Sequence, residues 1–312
     1  MNEFDLIRSI RLLADELPAN GFEGIGDDCA VLPLGDEALV FTTDALIEGV
    51  HFLRHATSPR ELGHKALAVN LSDVAAMGVR PVAVLLSLSL PTTIDEKWTA
   101  EFMAGFTDLA KAHRVALIGG DTTRSERDIA LSVTTIGRGA PTSLKRRSDA
   151  REGDTILVSD CLGSSAAGLR DLLAGHLETP LATVHRNPQP EIEVGAWLGT
   201  RCEVHAMMDL SDGLASDLRH IINGSEVGAE IDIDLIPIAE GATSEDALCG
   251  GEDYKLLLTA DSHTVAQLCA DFETHFGRRL YPVGHILSAE AGIRWKNKGC
   301  ETDCPTPRFS HF

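Results

Sequence analysis

The sequence is poor in basic residues and has no paired cysteines, and both absences narrow the possible functions. Its 312 residues include 27 Lys or Arg against 47 Asp or Glu, a formal net charge of −20. A nucleic-acid groove needs a basic stripe, and an acidic surface is repelled by anionic membranes, so we expect neither partner. The seven cysteines are odd in number and lack Cys-x-x-Cys spacing. We therefore expect reduced thiols in a cytoplasmic protein.

Long apolar runs are also missing. The longest, around Val82 to Leu90, is interrupted by serines and bounded by Pro81 and Pro91, so it is too short for a membrane span. The N-terminal residues 1–4 lack a basic region followed by an apolar core, so we expect no signal peptide. With 44% hydrophobic and 24% charged residues, the chain is typical of globular proteins of two domains.

The common phosphotransferase signatures are absent as well. The chain has no Walker-type Gly-x-x-x-x-Gly-Lys-Ser/Thr sequence, no kinase glycine-rich loop and no His-Arg-Asp motif. A phosphotransferase with this sequence would therefore belong neither to the P-loop enzymes nor to the protein kinases.

Five short acidic stretches are the most informative feature that is present. They are Gly26-Asp27-Asp28, Thr42-Thr43-Asp44, Asn70-Leu71-Ser72-Asp73, Gly119-Gly120-Asp121-Thr122 and Asp209-Leu210-Ser211-Asp212-Gly213. Each places a carboxylate beside a glycine or a hydroxyl residue, next to an apolar run. Oxygen ligands from several elements suit hard divalent cations, and such cations neutralise a polyphosphate. Together the stretches predict magnesium-dependent phosphoryl transfer.

Each stretch has a simpler interpretation when it is taken alone. Residues 27–28 and 42–44 are also typical of turns with solvated carboxylates. Asp73 lies among apolar residues in a helical pattern, so it needs a partner, which is either a cation or a nearby arginine such as Arg80. Ser211 either caps a helix through Gly213 or helps to bind phosphate at the helix N-terminus.

Hydrophobic periodicity predicts a mixed α/β pattern in both halves. In the first half the predicted helices are Phe4–Leu17, Pro59–Met77 and Ile94–His113, and the strands are Cys29–Pro33, Ala38–Thr43, Pro81–Leu90, Val115–Ile118 and Asp128–Gly137. Ser58 and Thr93 are the expected N-caps, and the strand Val115–Ile118 is expected to be buried.

The second half continues with strands and helices of the same kind. The predicted strands are Thr155–Ser159, Ala206–Leu210, Ala229–Ile238, Tyr254–Leu258 and Leu280–Ile286, and the helices include Glu191–Leu198 and Val265–Phe276. The stretch from Arg138 to Gly153 is rich in Gly, Pro, Ser, Arg and Asp. It marks a domain boundary, with predicted domains 1–148 and 149–312.

Taken in order, the motifs resemble those of thiamine-monophosphate kinases. The most specific are Lys65-Ala-Leu-Ala-Val-Asn-Leu-Ser-Asp-Val-Ala-Ala-Met-Gly78 and Gly250-Gly-Glu-Asp-Tyr254, and the resemblance spans about Phe4 to Phe309. It implies an α/β (α+β) fold of two mixed domains like that of aminoimidazole-ribonucleotide synthetase. In that fold residues 1–148 bind ATP and magnesium and form a dimer barrel with their strands, and residues 149–312 complete the active site.

The resemblance also implies an activity: ATP-dependent phosphorylation of thiamine monophosphate to thiamine diphosphate, by direct transfer on several Mg²⁺ ions and without a side-chain nucleophile. The positions that match magnesium ligands are Asp28, Thr42, Thr43, Asp44, Asp73, Asp121, Asp209 and Asp212. Those that match nucleotide contacts are Gly120, Asp121, Arg146 and Ser211. Those that match contacts to thiamine phosphate are His51, Glu252 and Phe309, the last where relatives carry tyrosine or tryptophan.

Other members of the superfamily are the alternatives. Selenophosphate synthetase-like chains use a reactive Cys or selenocysteine and a Lys in an N-terminal segment, and residues 1–25 contain neither. The hydrogenase-maturation relative relies on a C-terminal cysteine, whereas this chain ends Ser310-His311-Phe312. An enzyme like aminoimidazole-ribonucleotide synthetase and a non-catalytic nucleotide or metal sensor are further alternatives.

Overall fold

The first half of the chain folds around a five-stranded sheet. A computed structural model describes residues 3–303. Its elements in the first half are α1 (Glu3–Ala14), β1 (Ala30–Leu34), β2 (Glu37–Ile47), α2 (Pro59–Ala76), β3 (Arg80–Leu90), α3 (Glu96–Ala112), β4 (Ala116–Arg124) and β5 (Ala130–Gly139). The strand order is β1-β2-β5-β3-β4, and only the β3–β4 pair is parallel.

The second half forms a seven-stranded sheet. Its elements are β6 (Thr155–Val158), α4 (Ser164–Leu173), α5 (Pro180–Arg186), α6 (Ile192–Gly199), β7 (Val204–Asp209), α7 (Leu214–Ser225), β8 (Gly228–Asp232), α8 (Ser244–Cys249), β9 (Leu256–Ala260), α9 (Val265–Phe276), β10 (Tyr281–Leu287), β11 (Ile293–Asn297) and β12 (Cys300–Thr302). The strand order is β12-β11-β8-β10-β6-β9-β7. Two mixed sheets with helices confirm the predicted fold class.

Helix α2 is the central element because it contacts both halves. It packs against α3 and β5 of the first half and against α6 and β7 of the second. Its start follows the prediction: the Ser58 side chain accepts a hydrogen bond from the Glu61 N–H, and the Glu61 carboxylate accepts one from the Ser58 N–H. This reciprocal capping box, with Pro59 at the first helical position, fixes where the helix begins.

Two glycines bring α2 and α3 into backbone contact. A Cβ atom on Gly63 would lie 1.9 Å from the carbonyl oxygen of Phe102, and one on Gly105 would lie 1.9 Å from that of Arg60. Any side chain at either position would force the helices apart. The close crossing therefore fixes the position of α2 and of the polar residues on its C-terminal half.

Three predictions for the elements were wrong. Helix α3 begins after Asp95, whose carboxylate accepts a hydrogen bond from the Trp98 N–H, and not after Thr93. Strand β4 is not short and buried: it has nine residues and is exposed throughout, because it is the edge strand of its sheet. Strand β8 stops at Asp232, whose side chain caps a 3₁₀ turn.

Within residues 3–303, no helix combines the length and the hydrophobicity that crossing a bilayer requires.

Candidate active site

Three aspartates from three elements converge beside the C-terminal half of α2. Asp28 precedes β1, Asp73 belongs to α2, and Asp209 ends β7. One carboxylate oxygen from each lies within 4.8 Å of the others. Asp28 is 9% exposed and Asp209 is 1% exposed. The structure thus brings together three of the predicted metal ligands, which are separated by up to 181 positions in the numbering of the sequence.

Neighbouring polar side chains hold these carboxylates in place. The hydroxyl of Thr42 donates to the Asp73 carboxylate, and the Ser72 hydroxyl donates to that of Asp209 over 2.6 Å. The Asn70 side chain accepts a hydrogen bond of 3.0 Å from the Asp44 N–H, which ties β2 to α2. Asn70 and Ser72 were part of a sequence motif, but their positioning role follows only from the fold.

Crowding of buried carboxylates raises several pKa values. Burial, reinforced by Asp44, Asp209 and Asp28, raises the pKa of Asp73 well above its usual value. Burial and the nearby Asp28 raise the pKa of Asp209 to about 8. Burial, with Asp28 and Asp212 nearby, raises that of Asp44 to about 6. These carboxylates keep their protons because their ionised forms would repel one another. A bound cation would remove that repulsion, so the cluster has the character of a cation site.

Arg147 supplies positive charge at one side of the cluster. Its guanidinium forms an ion pair with Asp28, and its main-chain N–H lies 3.2 Å from an Asp27 carboxylate oxygen. Burial and the Asp28 charge still raise the pKa of Asp27 to about 7. Arg147 was not among the predicted site residues. Its position next to Arg146 is the one feature of the sequence that could have indicated it.

Arg146, predicted to contact the nucleotide, is paired with Glu23 and not with the acidic cluster. It forms two-pronged hydrogen bonds of 2.7–3.0 Å with the Glu23 carboxylate. The main chain at Arg146 is extended, so successive side chains alternate in direction. Arg146 and Glu23 line a cavity of about 450 Å³ beside Gly26 and Asp27.

The proposed arginine partner of Asp73 is wrong. Both terminal nitrogens of Arg80 lie 2.6 Å from carboxylate oxygens of Glu193 on α6. Asp73 instead accepts from Thr42 and faces other carboxylates.

The Asp209–Gly213 turn differs from the capping prediction. Helix α7 begins after Gly213, whose φ of 105° lies in a region that favours glycine. Because the N-cap residue is a glycine, the helix has no side-chain cap at that position. Asp217 accepts hydrogen bonds from the N–H groups of Asp212 and Gly213. The cap assignment of Ser211 is therefore wrong. The Ser211 carbonyl instead accepts from the Glu252 N–H at 2.8 Å.

The two described residues predicted to contact thiamine phosphate lie around Lys65. The Lys65 ammonium is 2.9 Å from the Glu252 carboxylate and 3.4 Å from the His51 carbonyl oxygen. Burial opposes ionisation of Glu252, but the charge and hydrogen bond of Lys65, together with His185 and His51, outweigh it and lower the pKa of Glu252. Burial lowers the pKa of His185, 3.4 Å from Glu252, to about 4. Neither Lys65 nor His185 was predicted as a site residue; Phe309 lies outside the described residues.

Gly120 and Asp121 lie on strand β4, away from the acidic cluster. In the sheet register, Asp44 is aligned with Val133, Leu86 and Gly120. Asp121 is one position further, so its side chain projects from the opposite face of the sheet. A Cβ atom on Gly120 would lie 1.8 Å from the Leu86 carbonyl oxygen, so strand packing alone requires this glycine.

Thr43 also points away from the cluster. Its hydroxyl donates to the Val133 carbonyl over 3.1 Å and accepts from the Thr134 hydroxyl, whereas the adjacent Thr42 faces Asp73. This follows from the alternation of side chains along β2. Within one chain the structure thus separates Thr43 and Asp121 from the other predicted magnesium ligands.

Comparison with known proteins identifies the family. Two family descriptions match the chain: AIR synthase related protein, N-terminal domain, over residues 26–139, and AIR synthase related protein, C-terminal domain, over residues 151–296. The thiamine-monophosphate kinase of Escherichia coli (strain K12) is 40% identical over an alignment of 328 residues including gaps, which covers 99% of this chain and 95% of that relative. The chain belongs to the thiamine-monophosphate kinase family.

Solved structures of thiamine-monophosphate kinases share the whole fold. The structure of AaThiL complexed with AMPPCP and TMP matches with a TM-score of 0.85 at 30% identity, over 100% of this chain and 97% of that chain. The thiamine-monophosphate kinase from Stenotrophomonas maltophilia K279a matches with a TM-score of 0.77 at 38% identity, over 96% of each chain. The resemblance inferred from the motifs is confirmed.

Proposed function

We propose that this chain transfers a phosphoryl group from ATP to thiamine monophosphate, giving thiamine diphosphate and ADP. The observation that carries the proposal is the buried convergence of Asp28, Asp73 and Asp209 in a chain of this family. AaThiL, which matches the full length of this chain, is complexed with AMPPCP, an ATP analogue, and with TMP. The same two kinds of ligand are the substrates proposed here.

The residues present fit Mg²⁺. The donors are hard oxygens, three carboxylates lie within 4.8 Å of one another, and the raised pKa values of Asp73 and Asp209 indicate missing positive charge. Asp28, Asp44, Asp73 and Asp209 would hold the ions. When bound, Mg²⁺ neutralises phosphate charge and aligns the donor and acceptor groups.

The protein's own charges prepare the nucleotide side of the site. Arg147 fixes Asp28 and the adjacent loop, so the carboxylates keep their positions as phosphates approach. The cavity of about 450 Å³ beside this loop has a volume suited to a nucleotide. Arg146 lines it, and we expect its guanidinium to leave Glu23 and bind phosphate oxygens.

The acceptor side is built around Glu252. Lys65 keeps this carboxylate ionised, and an ionised carboxylate attracts the positively charged thiazolium of thiamine. His51 lies at the same place, its carbonyl oxygen 3.4 Å from the Lys65 ammonium. The phosphate acceptor is already an anion near neutral pH. The reaction therefore needs positioning and charge neutralisation more than a side-chain nucleophile or a general base.

We also propose that the working form is a homodimer. The edge strand β4 has unpaired backbone groups on one side, and it exposes 42% of Leu117 and 56% of Ile118. An exposed apolar edge of this kind is a template for pairing with another chain. A second copy covering it would also bring Asp121, which lies on β4, next to a protein surface.

The assay uses the purified chain with thiamine monophosphate and Mg-ATP, followed by chromatographic detection of thiamine diphosphate. Free thiamine and aminoimidazole precursors are the controls for the acceptor. The variant Asp73→Asn should lose activity, and Asp36→Asn, an exposed loop change, should keep it. ATP binding with no product from any of these acceptors would instead support the non-catalytic sensor.

A further inference from the structure

The guanidinium of Arg11 lies against the loop that carries Asp27 and Asp28. Arg11 belongs to the last turn of α1 and is exposed. A Cβ atom on Gly26, the residue before Asp27, would lie 3.3 Å from a terminal nitrogen of Arg11. The same arginine lines the cavity of about 450 Å³ that we assign to the nucleotide. Helix α1, which carries none of the predicted site residues, therefore brings positive charge to the nucleotide side of the site.

Arg11 has no counter-charge among residues 3–303. Within this range its side chain forms neither an ion pair nor a hydrogen bond. Arg146, in the same cavity, lies 2.7 Å from a carboxylate oxygen of Glu23, and Arg8, one turn earlier on α1, lies 3.6 Å from Asp5. An approaching phosphate would therefore break no ion pair at Arg11, whereas at Arg146 it must compete with Glu23.

The charge of the cavity makes this second guanidinium important. The charged lining residues are Glu23, Asp27 and Glu226 against Arg11 and Arg146. Without Arg11, three carboxyl groups would face one guanidinium, and ionised carboxylates repel phosphate oxygens. An arginine binds phosphate through two parallel hydrogen bonds as well as through its charge. Arg11 is thus placed to receive a phosphate chain without prior rearrangement.

We propose that Arg11 binds the phosphate chain of the nucleotide and is a further substrate-binding residue of the reaction. This inference rests on the proposed function for the nucleotide, but not for the acceptor. Within one chain Ile10 and Leu13 are 49% and 68% exposed, so apolar packing does little to hold this part of α1. The contact between Arg11 and phosphate would fix the helix over the cavity.

The first test measures binding of Mg-AMPPCP to the full-length protein by calorimetry, without any acceptor. In Arg11→Met the affinity should fall at least about tenfold, because a charge-assisted pair with phosphate is lost. Arg11→Lys should give a smaller loss, since lysine keeps the charge but lacks the fork of donors. Arg8→Met, the control on the same helix face, should stay within about twofold of the wild type.

Wild-type affinity in Arg11→Met would overturn the proposal. That result would leave the proposed function intact, because thiamine diphosphate formation by the wild type tests the function separately.

Hydrogen exchange of residues 5–14 separates phosphate binding from a role in the helix alone. A cation in the last turn, such as Arg11, also stabilises a helix end. We expect Mg-AMPPCP to slow exchange of this segment in the wild type and in Arg8→Met, but not in Arg11→Met. Slowing of equal size in Arg11→Met would contradict the contact. Faster exchange of α1 in nucleotide-free Arg11→Met would assign the loss of affinity to the helix end instead.

Discussion

The ammonium of Lys65 lies 2.9 Å from the carboxylate of Glu252, although the two residues are 187 positions apart. Lys65 is 1% exposed and belongs to α2, whereas Glu252 belongs to the loop before β9. The pair therefore joins the two halves of the molecule at the place proposed for the acceptor. The buried Lys65 charge is tolerated because the Glu252 carboxylate, which is 24% exposed, lies beside it.

Replacing one member of this pair should destabilise the protein more than replacing both. We expect Lys65→Met to lower the free energy of unfolding by about 3 kcal/mol, since it leaves Glu252 without its partner. The double change Lys65→Met with Glu252→Gln should recover part of that loss. Urea denaturation measures both. If the double variant is as unstable as the sum of the single variants, the pair is not energetically coupled.

The adjacent arginines Arg146 and Arg147 should have separable effects. Arg147→Met should lower the stability of the metal-free protein by about 3 kcal/mol, since Asp28 would lose its counter-charge in a buried place. Arg146→Met should change stability by less than about 1 kcal/mol, since its pair with Glu23 is more exposed. That second variant should instead raise the KM for ATP. Equal stability losses would contradict this division of roles.

The stability of the metal-free protein should fall as the pH rises from 6.5 to 8.5. The folded-state pKa values of Asp27 and Asp209, about 7 and 8, exceed the ordinary value of 3.8. In this window the folded protein therefore binds more protons than the unfolded chain. Each such extra proton lowers the free energy of unfolding by up to about 1.4 kcal/mol for every unit that the pH rises. His185, with a pKa lowered to about 4, acts in the opposite direction only below pH 6.5.

Thermal unfolding with and without Mg²⁺ checks this pH dependence. Mg²⁺ competes with the protons, so the stabilisation that it gives should grow with pH. Asp209→Asn removes one of the titrating groups and should make the metal-free slope shallower. A slope that is flat or rising in the wild type would mean that these carboxylates are already ionised.

Periodicity predicted many of the regular elements, and a capping motif correctly located the start of α2, because these signals are local. Helix α9 has the predicted bounds Val265–Phe276, and the Ser58 cap of α2 is present. The exposure of β4 could not be predicted from its sequence. The apolar run 115–118 predicts a buried strand whether the strand lies at the centre or at the edge of the sheet. Its edge position arises because the following strand, β5, pairs with the other side of β3 and leaves β4 uncovered.

The identity of the carboxylates in the cluster could be predicted from the sequence, but the contacts that hold them in place could not. Asp28, Asp73 and Asp209 follow recognisable motifs. The choice between Arg146 and Arg147 depends on the backbone direction of one extended segment, which motifs do not encode. Lys65 lies in the middle of a helical motif, and only the fold places it against Glu252.

The helix crossing offers a test of packing that is independent of catalysis. Gly63→Ala would place a methyl group 1.9 Å from the Phe102 carbonyl oxygen, so α2 and α3 must separate. We expect a loss of about 1–3 kcal/mol in unfolding free energy. Gly153→Ala is a comparison at a glycine where the added atom meets open space, although its φ of 92° strains it. A Gly63→Ala variant as stable as the wild type would argue against the backbone contact.

Asp121 provides the most direct test of the dimer. It is exposed on β4, so Asp121→Asn should fold normally, and as a predicted magnesium ligand it should lose transfer activity. Its side chain projects away from the Asp73 cluster of its own chain, so we expect it to act in the site of a second copy. Mixing inactive Asp121→Asn and Asp73→Asn subunits, with exchange, should then restore about a quarter of wild-type activity, since half of the dimers would carry one intact site. No recovery in mixed dimers would place Asp121 in its own chain's site, and wild-type turnover in Asp121→Asn would remove it from the metal ligands.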